Sequence, residues 1–368
     1  MSALSRRRFV AAATLSGLAP ALPAWAVDTS TPGVTDSAVG DDIIRLDYNE
    51  SPYGPCPTAI QAMSQGVRQS GHYFPEHEGR LIELFAEQNQ VPSDHVAVFC
   101  GSRSPLQYAL ARHAGHRGVV TAAPTYDSVA NGARAVGATV REVALDARHA
   151  HDVRGMLAAD PAAGVLYLCN PNNPTGTLTP RTDIEHLVRN KPKGCLAIID
   201  EAYIHFADVP SCLELAVEHE DVLVLRTFSK LYGMAGARLG LAIGKPALLR
   251  DLQRLNGYNF IPLAAAMGGI ASLEQKDLVT ERKNLNRRVL QATTESLRKA
   301  GYQCTEAQAN CFMVALGRPA KPVIEALAQR GIRVGRVFGA WPQWMRVSVG
   351  TQAQMQAFMG AFLEVMKR

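Results

Sequence analysis

The sequence predicts an α/β protein, with a mostly parallel sheet in a large domain followed by a smaller α+β domain. Three observations carry that expectation. From Val96 onward, short and almost wholly apolar runs alternate with amphipathic segments at helical spacing. That is the pattern of strands buried on both faces and covered by crossover helices. After about Leu255 the alternation gives way to a long helical stretch rich in Arg and Lys. The length, 368 residues, suffices for about two domains.

The first residues read as a sorting signal. Arg6, Arg7 and Arg8 precede Phe9, an apolar run extends through Ala19, and Ala24-Trp25-Ala26 supplies a small-x-small ending. The paired arginines before Phe9 resemble a twin-arginine export signal, which implies a protein delivered already folded to the periplasm, with cleavage after Ala26. Gly17, Pro20 and Pro23 interrupt the apolar run. It is too short to cross a bilayer core of about 30 Å, and no later stretch is a candidate span. Residues 27–70 read as a flexible arm and the start of the small domain, 71–255 as the large domain and 256–368 as the rest of the small one.

Strands are expected at 96–100, 118–122, 140–145, 165–169, 196–199, 222–226 and 239–243. Helices at 105–114, 128–136, 153–159 and 182–190 separate several of them. The connection between 222–226 and 239–243 is too short for a helical crossover, so one of that pair runs antiparallel. In the small domain a helix over 277–300 precedes a strand at 311–316 and a helix at 322–330. Strands at 332–337 and 345–349 and a closing helix over 352–366 follow.

Composition narrows the function. Hydrophobic residues at 47% and charged ones at 19% exclude a disordered chain. Seven cysteines without a CxxC pair exclude a disulfide miniprotein, and the ten histidines show no metal-ligand spacing. The net charge of +5 is partly the leader's three arginines, which leaves no basic surface for nucleic acid.

Polar residues collect where apolar runs end. In an open α/β sheet this is the ligand-binding edge. The run at 96–100 passes into Gly101-Ser102-Arg103 and a helix. Taken alone this reads as an N-cap, though a helix N-terminus also suits a phosphate. The run at 165–169 leads into Asn170-Pro171-Asn172-Asn173-Pro174-Thr175-Gly176, a rigid turn that can aim an Asn into the crevice. The run at 196–199 ends in Asp200-Glu201-Ala202-Tyr203, and burying such an acid is costly unless a cation meets it. The run at 222–226 is followed by Thr227-Phe228-Ser229-Lys230, with Arg238 eight positions beyond the lysine. A crevice lysine is a surface charge, an anion ligand or a Schiff-base nucleophile.

The order of these motifs resembles the fold-type I pyridoxal-phosphate enzymes, specifically class I/II aminotransferases of the histidinol-phosphate aminotransferase group. The similarity runs from Leu46-Asp47-Tyr48-Asn49-Glu50-Ser51-Pro52-Tyr53-Gly54 to Arg346-Val347-Ser348-Val349-Gly350-Thr351. It implies pyridoxal 5'-phosphate as cofactor, joined to Lys230 as a Schiff base, with the same lysine moving the substrate proton. Asp200 would face the ring nitrogen, Tyr203 and Asn173 the ring oxygen, and Tyr126 would stack on the ring. Gly101, Ser102, Arg103, Ser229 and Arg238 would hold the phosphate. Tyr73 would reach the phosphate in a second subunit, which implies a homodimer. Arg346 would clamp the substrate carboxylate, and Tyr53 and Asn173 would line the substrate pocket. Near the family's side-chain-recognising arginine this chain has Gly335, between Arg333 and Arg336 on either side. The implied reaction moves an amino group from an amino acid or amine to a 2-oxo acid. A related decarboxylase or lyase, similar to the threonine-phosphate decarboxylases, would use the same lysine and aspartate.

Overall fold

The apolar runs between residues 96 and 243 become the strands of one seven-stranded sheet in a computed structural model that describes residues 43–367. The arginine-containing leader and the arm through Asp42 lie outside the described residues. The chain opens with β1 (Ile44–Leu46), α1 (Pro57–Gln69), α2 (Pro75–Asn89), β2 (Val96–Phe99), α3 (Arg103–His113), β3 (Val119–Ala123), α4 (Ser128–Ala135) and β4 (Val140–Ala144). It continues with α5 (Val153–Ala159), β5 (Val165–Cys169), α6 (Arg181–Asn190), β6 (Leu196–Asp200), α7 (Leu213–Glu218), β7 (Val222–Thr227) and β8 (Gly240–Ile243). It closes with α8 (Pro246–Leu255), α9 (Leu263–Glu274), α10 (Leu278–Lys299), β9 (Cys311–Ala315), α11 (Ala320–Ala328), β10 (Ile332–Val334), β11 (Trp344–Ser348) and α12 (Gln352–Met366).

The sheet order is β2-β8-β7-β6-β5-β3-β4. β8 is the reversed strand: it runs antiparallel to both β2 and β7, while the pairs from β7 through β4 are parallel. Every residue of β5, β6 and β7 is buried, as central parallel strands covered on both faces require. β4, at the edge, is partly solvated. Because the parallel strands share a direction, Ala123, Cys169, Asp200 and Thr227 all end at one edge of the sheet. That edge carries the site.

A second core forms around two small sheets. β1 pairs in parallel with β10, Ile44 opposite Ile332, and β9 pairs antiparallel with β11. Leu46, Phe312, Met345, Phe358 and Phe362 are buried there. The first core extends past Leu255, where the sequence changes texture. It takes in Ala265, Ala266 and Leu273 of α9 and Leu278 at the start of α10. Val289, Leu290 and Leu297 of the same helix belong to the second core, so α10 joins the two. The reason α9 sides with the first core is close backbone packing: a Cβ on Gly66 of α1 would lie 2.7 Å from the Ala264 Cα. Among the described residues no helix is long and apolar enough to cross a membrane.

Candidate active site

A cleft of about 830 Å³ opens at the carboxyl ends of the parallel strands, between them and Val334, Phe338 and Arg346 of the second core region. Ser102, Arg103, Tyr126, Asn173, Asp200, Tyr203, Ser229, Lys230, Arg238 and Arg346 all line it. Ten residues singled out in the sequence thus come together.

One end is built to receive an anion. Gly101 takes a left-handed backbone (φ +79°), which turns the chain from β2 into α3. A side chain on Gly101 would run into the Arg238 guanidinium, and one on Gly240 into the backbone N of Ser102. The absence of both side chains brings Arg238 against the N-terminus of α3. Ser102 stands at the cap position, yet its side chain makes no capping bond, contrary to the plain N-cap reading. Ser229 is buried, and Thr227 Oγ1 donates to its Oγ at 3.0 Å. Arg238 is held by a 2.7 Å bond from Nη1 to the Ala235 carbonyl. An oriented guanidinium, two hydroxyls and free helix N–H groups suit a phosphate.

The floor holds a buried acid. Asp200 is 3% exposed; its Oδ2 accepts from the Tyr167 hydroxyl at 2.8 Å and its Oδ1 from the Ala202 N–H at 3.1 Å. Both donors are neutral, and burial pushes the carboxyl up to about 6. A buried carboxylate with neutral donors and no ion pair among the described residues is the setting that a protonated ring nitrogen would complete. Together with the anion site, this donor set fits pyridoxal phosphate.

Tyr203 is buried beside Asp200, and its oxygen accepts from Asn49 Nδ2 at 3.1 Å. Asn49 has a left-handed backbone (φ +53°) and is locked by Ser348, whose hydroxyl bonds both its backbone N and its Oδ1. Lys230 Nζ stands 5.7 Å above the Tyr203 ring and donates to the Tyr48 carbonyl at 2.9 Å. Desolvation, and then the nearby Arg346, lower the lysine to about 8, within reach of neutral pH. Arg346 donates from Nη1 to Asn173 Oδ1 at 2.8 Å and from Nη2 to the Asp47 carbonyl, while its Nε is buried without a partner. A Cβ on Gly335 would come within 2.9 Å of that Nε. Glycine at 335 therefore leaves room for Arg346 where a longer residue would displace it.

Arg336 lines the cleft and Arg333 does not. The Arg336 guanidinium pairs with Asp127 and lies 4.2 Å from the Phe338 ring centroid. Three expected site residues do not line this chain's cleft: Gly101, whose N–H is taken by the Phe99 carbonyl at 2.7 Å, Tyr53 and Tyr73. Tyr53 borders separate pockets beside Arg282, and Tyr73 is 83% exposed, packed on Phe260. Tyr167, Asn49 and Asp127 are site residues that sequence reasoning passed over. For Tyr167 a signal existed, since a tyrosine inside an all-buried strand needs a partner for its hydroxyl.

Comparison with known proteins places this geometry in a family. Residues 41–362 match the family model described as aminotransferase class I and II. The histidinol-phosphate aminotransferase of Bacillus velezensis is 30% identical over 335 residues, covering 89% of this chain and 92% of that protein. The aromatic amino acid aminotransferase of Mycobacteroides abscessus is 32% identical, covering 92% of this chain and 95% of that one. The crystal structure of histidinol-phosphate aminotransferase from Sinorhizobium meliloti in complex with pyridoxal-5'-phosphate superposes with a TM-score of 0.81 at 25% identity, covering 88% of this chain and 91% of that one. The chain belongs to the class I and II aminotransferases and is a pyridoxal-phosphate-dependent aminotransferase.

Proposed function

We propose that the enzyme moves an amino group from an amino acid or amine with an apolar or aromatic side chain to a 2-oxo acid. The observation that carries this reading is the substrate end of the cleft. There Arg346 faces an apolar wall of Ile324, Val334 and Phe338, while Arg336 is already paired with Asp127. The relatives named for histidinol phosphate and for aromatic amino acids fit a donor that carries a ring. A screen of amino donors, read through the change in coenzyme absorbance, tests it. Aromatic or branched donors should bleach the bound coenzyme fastest in the absence of acceptor. Faster reaction with aspartate, or release of carbon dioxide without amino transfer, contradicts the reading.

Pyridoxal phosphate, when bound, supplies an electron-accepting ring for the pair released as the substrate Cα–H breaks. The chain's residues do the rest. The N–H groups of Ser102 and Arg103 at the start of α3, the Ser102 and Ser229 hydroxyls and Arg238 would hold the phosphate, while Gly101, whose own N–H is taken by the Phe99 carbonyl at 2.7 Å, would serve through its left-handed turn. Tyr126 would cover the ring face, and Asp200 would keep the ring nitrogen protonated. The Tyr203 hydroxyl and Asn173 amide would bind the ring oxygen. Arg346 would fix the substrate carboxylate by a fork whose orientation Asn173 and the Asp47 carbonyl maintain. Lys230 would take the proton from the substrate Cα and return it elsewhere on the same face, because its lowered basicity lets it carry a proton both ways near neutral pH.

The subunit arrangement and the location belong to the same reading. Tyr73, Tyr258, Phe260, Val67 and Ile60 are all exposed apolar side chains, and a second copy would cover them, with Tyr73 reaching the partner's phosphate site. Light scattering should give a mass near twice that of one chain, and Tyr73→Phe should weaken coenzyme retention. A monomer that retains coenzyme fully contradicts this. The twin-arginine motif supports export. Replacing Arg6 and Arg7 with Lys should leave activity in the cytoplasmic fraction, whereas the unaltered chain delivers it to the periplasm. Equal distribution of the two forms is the contrary result.

A further inference from the structure

Behind the cleft, a buried ion pair joins the two strands that lead to Asp200 and Lys230. Successive residues of a strand point to opposite faces, so Glu201 turns away from the cleft that Asp200 lines. The Glu201 side chain is wholly buried and that of Arg226, on β7, is 6% exposed. Arg226 Nε donates to Glu201 Oε2 at 2.9 Å, Nη2 to Ser211 Oγ at 2.9 Å, and Nη1 to His205 Nε2 at 3.1 Å. Glu201 Oε2 also accepts from Ser211 Oγ at 2.7 Å, and its Oε1 from the Cys212 N–H at 2.6 Å. Every guanidinium nitrogen and both carboxylate oxygens are thereby engaged.

The network reaches the lysine turn from its other side as well. His205 accepts from Arg226 and is held neutral by burial and that adjacent charge. Its ring lies edge-on to Tyr232 at 5.2 Å, and Tyr232 stacks on Phe228 at 4.6 Å. Phe228 and Tyr232 stand two positions before and after Lys230. The Glu201 N–H bonds the Leu225 carbonyl at 2.9 Å, which continues the pairing of β6 and β7 past Asp200. A buried ion pair is a poor source of stability, because apolar residues of like volume do as well or better. What it supplies is fixed geometry.

We propose that Arg226 and Glu201 are positioning residues which, as one hydrogen-bonded unit, set where Lys230 stands relative to Asp200. The proposal rests on the roles assigned above to that lysine and aspartate. It separates geometry from stability, and four variants of the holoenzyme test it: Arg226→Lys, Arg226→Met, Glu201→Gln and the Arg226→Met/Glu201→Gln double. Thermal midpoint, kcat, KM and the induced circular dichroism of the bound coenzyme are measured for each. Both neutralising single variants leave a buried charge alone, so they should melt well below the parent and lose about 30-fold or more in kcat, with KM changed less than about threefold. The double variant should recover the midpoint without recovering kcat or the dichroism. Arg226→Lys keeps the charge but loses the fork, and should melt near the parent with kcat about tenfold lower. If kcat and dichroism simply follow the thermal midpoint across the set, or if Arg226→Lys matches the parent in kcat, the positioning role is wrong. Turnover by Lys230→Ala would overturn the underlying site reading instead, independently of these four.

Discussion

Lys230→Ala should lower kcat by at least about 10³-fold while the thermal midpoint of the coenzyme-free protein stays within a few degrees of the parent. The magnitude follows from what the side chain contributes: a positioned proton carrier alone is worth about 10²–10⁴. This one is also the expected attachment point of the coenzyme. The fold should tolerate the change, because the Lys230 side chain makes one hydrogen bond, to the Tyr48 carbonyl, and its ammonium is disfavoured by its surroundings. Added methylamine should restore part of the rate, as an external base occupying the vacated space. Unchanged turnover in the variant would remove the basis for the whole site assignment.

Asp200→Asn should separate stability from function in the opposite sense. Burial raises the folded-state value of this carboxyl from 3.8 to about 6. For an acid raised on folding, ionisation costs stability; the cost is full above pH 6 and is gone below about pH 4. Asparagine keeps the shape without the charge. The coenzyme-free variant should therefore be more stable than the parent at pH 8 by an amount on the order of 2–3 kcal/mol, with the two converging as pH falls to 4. Loaded with coenzyme, the same variant should lose about 10²–10³ in kcat, since a neutral amide cannot keep the ring nitrogen protonated through the transition state. Urea unfolding at pH 8 and pH 4, alongside turnover assays, checks both halves. A coenzyme-free variant less stable at pH 8, or one that turns over normally when loaded, contradicts the account.

The parts of this enzyme that were legible in its sequence share a physical signature. Six of the seven sheet strands stand out because they are apolar nearly throughout, the solvated edge strand β4 being the exception, and Asp200 and Lys230 stand out because they end or follow such runs. The short link between β7 and β8 showed that one of the two is reversed, for the same geometric reason that a parallel crossover needs a helix, and the pairing identifies it as β8. What lacked a signature was missed. α9, rich in Ala and Gly, is packed closely enough that it shows no clear amphipathic stripe, and α1 carries few buried residues. β1 is three residues long, and its partner lies near the other end of the chain. The Glu201–Arg226 pair was invisible because charge at a strand end reads as solvent or ligand, and only register shows the two side by side. Tyr73 was named as a residue for another subunit, and its exposure here leaves it outside its own cleft.

Asn49, which holds the Tyr203 hydroxyl, is itself held by a serine 299 positions later in the chain. Arg346 emerges from the ribosome just ahead of that serine, and the Asp47 carbonyl waits for it from the start of synthesis. A nascent chain long enough to display Lys230 and Asp200 thus still lacks the Val334, Phe338 and Arg346 side of the cleft, and among the described strands β1 has no neighbour until Ile332 arrives. Contacts spanning this much sequence are slow to form and are made last. A chain terminated between Lys230 and Ser348 would accordingly keep its lysine and aspartate but lack the serine that locks Asn49 against the Tyr203 hydroxyl, so the cleft reaches its full set of contacts only in the finished polypeptide.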